Sequence, residues 1–212
     1  DLHSFPTRRS SDLNRLHSNN QTRAIGLGIM GFTDVLEKLG YCYESEESYN
    51  LIDTLTEFIS YHAIDQSADL AQELGSYPTY KGSGWSKGIL PIDTLETLST
   101  DRKVKVKIDH KSSLDWDALR VKVKKGMRNA TLMAIAPTAN IGHIAGTTPG
   151  IDPQFAQIFS RSTLNGKFLE VNNNLVRDLK ALNLWDDIKE EVFANQGDIQ
   201  HIDAIPQKLK DV

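Results

Sequence analysis

The sequence predicts an α/β fold in which helices alternate with single strands and the strands run parallel. Three observations carry that prediction. Ala130 to Ile135 is a short apolar run without charge, as expected of a strand covered on both faces. Apolar residues recur at a 3.6-residue period on either side of it, over Leu51 to Leu74 and Leu175 to Leu182. Pro137 ends the apolar run and is followed by Thr138 and Asn140, both good helix N-cap types. A strand that ends in a helix start presents free backbone N–H groups, which favour a phosphate. The plainer reading of the same residues is an ordinary strand-to-helix turn capped by Thr138.

The 212 residues allow one large domain or a piece of a bigger one. With 39% hydrophobic and 25% charged residues, a folded core is expected rather than general disorder. A formal net charge of -4 argues against nucleic acid as the main partner. No apolar run approaches the roughly 18 residues of a membrane span, so a membrane partner is not expected. The one cysteine, Cys42, excludes an intrachain disulfide framework and a cysteine-rich zinc site. It fits a reducing, cytoplasmic setting.

Residues 1–13 differ from the rest. They have no helical or strand period and no secretory apolar core, and they resemble a translated sequencing adapter. A disordered, non-native leader is expected there, with a loose polar segment over 14–22 and the domain proper over 23–212. Gly26-x-Gly28-x-x-Gly31 has the dinucleotide spacing, but little room exists for a strand before it and no acidic partner follows at the required distance. Close packing of a helix against a sheet is the better reading. Val35, Leu36 and Leu39 continue at helical spacing, and Gly40 closes that helix.

Ser45 to Gly75 predicts one long amphipathic helix with acid in its first turn. His62 and Asp65 lie along it without a second histidine at ligand spacing. Tyr77 to Leu95 predicts an ordered loop region. The alternating Lys103 to Ile108 predicts an edge strand guarded by charge. Asp115 opens a helix that Gly126 ends, ahead of the central strand and turn. Thr147 to Pro153 predicts a constrained loop, Phe155 to Thr163 an irregular segment or strand, and Lys167 to Val171 a strand. Two helices follow, from Leu175 to Leu182 and from Leu184 to Ala194. The tail from Ile199 is expected to lack a closing element.

Five separated motifs also carry a resemblance. They are Arg23-Ala24-Ile25-Gly26-Leu27-Gly28, Ser86-Lys87-Gly88-Ile89-Leu90, Met127-Arg128-Asn129-Ala130-Thr131-Leu132, Ala134-Ile135-Ala136-Pro137-Thr138-Ala139, and Ser162-x-Leu164-x-Gly166-x-Phe168 with Val171-Asn172. In this order they resemble the large (alpha) subunit of class I ribonucleotide reductases. The cobalamin-dependent class shares a similar phosphate turn, but the Ser86 to Leu90 loop and the Ser162 to Asn172 segment favour class I.

The resemblance implies the later part of a ten-stranded α/β barrel, incomplete in this chain. It implies that the substrate diphosphate sits on Pro137, Thr138, Ala139, Asn140 and Ile141. Family members often carry Thr or Ser where Asn140 and Ile141 stand, so contacts here are expected from backbone rather than side chains. The thiyl-radical cysteine and the redox cysteines match no position of this sequence, so no catalytic residue is assigned to it. No metal and no cofactor is expected on the chain itself. The family takes its radical from a metal-containing small (beta) subunit and its electrons from thioredoxin- or glutaredoxin-type reductants. Implied partners are a ribonucleoside diphosphate, that small subunit and a second large subunit. The rival reading is a catalytically inactive α/β module that binds a phosphorylated ligand or a protein partner.

Overall fold

The computed structural model describes residues 8–105, 112–163 and 166–212. Its contacts divide the chain into two units. The first comprises Asp1–Leu27 and Asp53–Ala134, and the second Gly28–Ile52 and Ile135–Val212.

In the first unit, α1 (Arg8–Thr22) is followed by an extended segment to Leu27. Then come most of α3 (Glu46–Leu74), a short α4 (Gly84–Lys87), a 3-10 turn (Pro91–Asp93), α5 (Thr94–Arg102) and α6 (Trp116–Val123). Ile64 and Ala68 of α3 lie four residues apart, as do Leu119 and Val123 of α6, so each pair shares one helix face. These four close a core with Tyr77, Leu90, Met127 and Leu132. Burying side chains of this size stabilises by about 1.5–3 kcal/mol each. Polar ends find partners at the rim of that core. The Tyr80 hydroxyl donates to Val123 O at 2.6 Å, and Trp85 Nε1 donates to Ala130 O at 2.9 Å. Arg120 pairs with Asp93, and Lys122 bridges Asp65 and Asp69.

The apolar run after Met127 is extended, as its composition predicts, but it is not a strand buried on both faces. Leu132 is buried, whereas residues 134–137 are exposed. Its partner is the segment from Ile25 to Leu27. Ile25 N donates to Thr131 O at 3.1 Å, Leu27 N to Leu132 O at 2.7 Å, and Ala134 N to Leu27 O at 3.0 Å, with one parallel bridge at Leu27 and Met133. Gly26 therefore serves two extended segments rather than a helix on a sheet, while Gly31 is the N-cap of α2. A Cβ added at Gly26 would stand 2.8 Å from the Ala134 Cβ, too close for any side chain.

A disordered leader over 1–13 and a loose segment over 14–22 were the expectation for the start of the chain. Residues 1–7 lie outside the described residues, and Arg8–Thr22 is helical. The end of this helix is tied down by partners distant in sequence. Gln21 O accepts from Thr79 N and Thr79 Oγ1, and Thr22 O accepts from Ala130 N at 2.9 Å. Composition alone does not reveal such tertiary bonds. Of the expected edge strand, residues 106–108 lie outside the described residues, and Lys103 to Lys105 leave α5 as a turn.

The second unit contains α2 (Phe32–Leu39), the first turns of α3, and α7 (Ala139–Ala145). After these come β1 (Ile158–Thr163), β2 (Gly166–Val171), α8 (Asn173–Ala181), α9 (Trp185–Ala194) and α10 (Gln207–Lys210). The two strands pair antiparallel, with Ile158 opposite Val171 and Thr163 opposite Gly166. Parallel strands were expected, but only two residues separate β1 from β2, and a parallel pair needs a crossover of a dozen or more. Among the described residues this hairpin is the one named sheet. Helix therefore dominates over the strand content expected of an α/β chain.

Leu175, Leu179, Ile188 and Val192 form the helical side of the second core. The tail does close it, contrary to expectation: Ile199, Ile202 and Ile205 are at most 5% exposed. Their three-residue spacing across short turns escapes a search for regular helix.

Candidate functional site

The residues expected to hold a phosphate, Pro137 to Ile141, form the entry to α7 in the second unit. Thr138 occupies the N-cap position with φ −91° and ψ 30°. The first hydrogen bond of the helix runs from Gly142 N to Thr138 O, at 2.7 Å. The N–H groups of Ala139, Asn140 and Ile141 precede it and have no acceptor within the helix. Ala139, Asn140 and Ile141 are exposed, and Pro137 beside them is exposed too.

Thr138 does not cap α7 through its side chain. Its Oγ1 accepts instead from Gly150 N at 2.8 Å, across the loop that follows the helix. The hydroxyl proton is left to donate elsewhere. Asn140, read in the sequence as a second N-cap candidate, sits inside the first turn.

The loop after α7 returns beneath this turn. Thr147 N donates to Gly142 O at 2.8 Å. A Cβ at Gly142 would stand 3.0 Å from Thr147 O, so only glycine lets the loop pass this close. The start of α2 grips the same loop. Gly31 N donates to Thr148 O at 2.8 Å, and Thr33 Oγ1 donates to Asp152 O at 2.6 Å. Asp34 Oδ2 accepts from Thr148 N at 2.6 Å and from Thr148 Oγ1 at 2.8 Å.

A polar network continues behind Asp34. Asn174 Nδ2 donates to Asp34 Oδ1 at 3.1 Å and to Glu37 Oε2 at 2.7 Å. Asn172 Nδ2 donates to Glu37 Oε1 and to Gln157 Oε1, each at 2.7 Å. Asn172 Oδ1 caps α8 by accepting from Asn174 N and Leu175 N. Burial pushes the Glu37 carboxyl above the usual carboxylate range. Hydrogen bonds from Asn174 and Asn172 oppose that rise, while the charges of Asp34 and Asp178 add to it.

Sequence reading placed the five turn residues together but missed the groups that hold the turn. Asp34 and Glu37 stand three residues apart on a short helix between apolar positions, which marks one polar face. Nothing local says that this face meets a loop more than a hundred residues later. Cys42 is exposed in the turn between α2 and α3. Among the described residues, no group of three or more His, Cys, Asp or Glu side chains is placed to hold a metal ion. No helix among them is long and apolar enough to cross a membrane.

Comparison with known proteins agrees with the motif resemblance. The profile of the family "Ribonucleotide reductase, barrel domain" matches residues 1–212. A ribonucleoside-diphosphate reductase subunit alpha of Chlamydia trachomatis is 42% identical over 215 residues, covering 100% of this chain and 20% of that protein. The corresponding large subunit of Caenorhabditis elegans is 36% identical over 214 residues, covering 100% of this chain and 25% of its own length. That of Plasmodium falciparum is 38% identical over 197 residues, with 92% and 23% covered. The chain thus spans 20–25% of the length of these curated relatives. With every residue inside the family's profile, the chain belongs to the ribonucleotide reductase barrel-domain family.

Proposed function

We propose that this chain is part of the large subunit of a ribonucleoside-diphosphate reductase and contributes its substrate-diphosphate turn. The observation that carries this reading is the start of α7. Three N–H groups, those of Ala139, Asn140 and Ile141, precede the first helical hydrogen bond on an exposed turn, and the Thr138 hydroxyl retains a proton to donate. Amides at a helix start attract an anion through their partial positive charge. Pro137 supports the arrangement by ending the extended run without offering a donor of its own.

The whole protein would reduce ribonucleoside diphosphates to deoxyribonucleoside diphosphates by a thiyl-radical route. It would do so with a radical-generating small subunit, a second large subunit and a dithiol reductant. In that protein the present segment belongs to the later part of the ten-stranded barrel. Its own residues bind and orient the diphosphate. Its cysteine, Cys42, lies in an exposed interhelical turn and is not assigned to the chemistry. The 212-residue chain alone is therefore expected to form no deoxynucleotide when supplied with small subunit and dithiol; product above a no-protein control contradicts this division of labour. Binding is tested by titrating the full-length subunit that carries this segment with a ribonucleoside diphosphate, before and after substitution in the turn. The reading predicts loss of diphosphate affinity while regulatory-nucleotide binding is kept.

A further inference from the structure

We infer that Asp34 is a positioning residue for the Pro137–Ile141 turn, an inference that rests on reading that turn as the diphosphate site. Asp34 acts through Thr148, the residue its carboxylate holds. Thr148 is 4% exposed and is fixed at three atoms. Its N and its Oγ1 both donate to Asp34 Oδ2, and its O accepts from Gly31 N. Thr147 before it and Gly150 two residues after it bond to α7 and to its N-cap residue. Thr147 N holds the carbonyl of Gly142, and Gly150 N holds the hydroxyl of Thr138. Asp34 thus grips a loop that closes the C-terminal end of α7 through Thr147 and holds the hydroxyl at its N-terminal end through Gly150.

The chemistry requires a carboxylate at this place. Two donors converge on one oxygen, and a carboxylate can accept both without presenting a proton of its own. The second oxygen is held by Asn174 Nδ2 at 3.1 Å, which fixes the orientation of the group. An amide at position 34 would satisfy one of these two sides and present an N–H to a donor on the other. Either arrangement sets two donors against each other, at Thr148 or at Asn174, and loosens the hold on the loop. A shift of Thr148 carries Gly150 away from Thr138, and the hydroxyl and amides that would face the diphosphate lose their common orientation. Small displacements of a positioned binding group are costly because affinity depends on all its donors converging at once.

The test uses the full-length subunit carrying this segment, with ribonucleoside-diphosphate affinity and regulatory-nucleotide affinity both measured. The variants are Asp34→Asn, Thr148→Val, Thr148→Ser and Ala139→Asp. Asp34→Asn and Thr148→Val are expected to weaken diphosphate binding by about tenfold or more. Thr148→Ser keeps both donors and is expected to bind as the parent does. Regulatory-nucleotide affinity is expected to stay unchanged in all four. If Ala139→Asp abolishes diphosphate binding while Asp34→Asn and Thr148→Val bind like the parent, the positioning role is overturned and the turn reading survives. If Ala139→Asp also binds like the parent, the turn reading fails and the positioning role falls with it. Equal loss of both affinities in Asp34→Asn and Thr148→Val, without rescue by Thr148→Ser, assigns Asp34 to general scaffolding and overturns the inference. Should Asp34→Asn not fold, Thr148→Val against Thr148→Ser carries the same decision.

Discussion

Gly150 donates its backbone N–H to the Oγ1 of Thr138 at 2.8 Å, so the hydroxyl at the start of α7 is held by the loop at its far side rather than by its own helix. This bond ties the geometry of the Pro137–Ile141 turn to a residue twelve positions away. Replacing Thr138 by Val keeps the shape and removes both the acceptor for Gly150 and the donor for a ligand. Loss of one hydrogen bond to a charged oxygen is worth roughly 1.5–3 kcal/mol, so diphosphate affinity is expected to fall about 10- to 150-fold. Calorimetric titration of the full-length variant checks this, and an unchanged affinity excludes the hydroxyl from the site.

Asn172 serves as helix cap and as partner to two other side chains. Its Oδ1 caps α8, and its Nδ2 reaches Glu37 and Gln157. Asn172→Ala removes the cap, worth about 1 kcal/mol, and strands half-buried acceptors at a further cost of about 1–3 kcal/mol. Urea denaturation is expected to show a loss of about 2 kcal/mol or more. A midpoint equal to that of the parent contradicts the role given to Asn172.

Glu57 supplies a pH test in the first unit. Burial pushes its carboxyl up, but hydrogen bonds from Ser112, Trp116 and Ser113 outweigh burial and bring it down to about 2. The folded state therefore binds a proton less readily than the unfolded state. Stability from these bonds is present above the ordinary value of 4.5 and is lost as pH falls from there toward about 2. Glu57→Gln is expected to be less stable than the parent at neutral pH, with the gap closing through that window. A gap that stays constant down to pH ~2 contradicts the prediction.

Glu37 runs the other way. Its carboxyl is raised in the folded state, chiefly by burial. The folded state holds the proton more readily, so this group's contribution is most favourable at low pH and declines as pH rises above the ordinary 4.5. Glu37→Gln is expected to flatten that decline in unfolding free energy measured against pH. A parental slope in the variant shows that another group is responsible.

Much of this arrangement was legible in the sequence where the signal is local. Gly40 closes α2, Asp115 caps α6 through Ala118 N, and α3 ends where Gly75 stands, all as composition and period predict. The turn at Pro137 and the helix after it were legible for the same reason. What was not legible depends on partners remote in the chain. The apolar run after Ala130 looks the same whether it lies in a covered sheet or beside Ile25 and Leu27 with its end exposed. The α1 helix has no apolar period and is fastened at Gln21 and Thr22 by Thr79 and Ala130. Asp34 gave no sign of Thr148, because a carboxylate on a helix face is ordinarily solvated.

The most direct measurement is ribonucleoside-diphosphate binding by the full-length subunit carrying Ala139→Asp, with regulatory-nucleotide binding as the control. Ala139 is exposed and opens α7, so a carboxylate there is tolerated by the fold and stands beside the place where two phosphates would sit. Like-charge repulsion and the obstruction of the amides are expected to weaken diphosphate binding by more than about 100-fold, with the control unchanged. Parental diphosphate affinity in this variant would contradict the assignment of Pro137 to Ile141 as the phosphate turn.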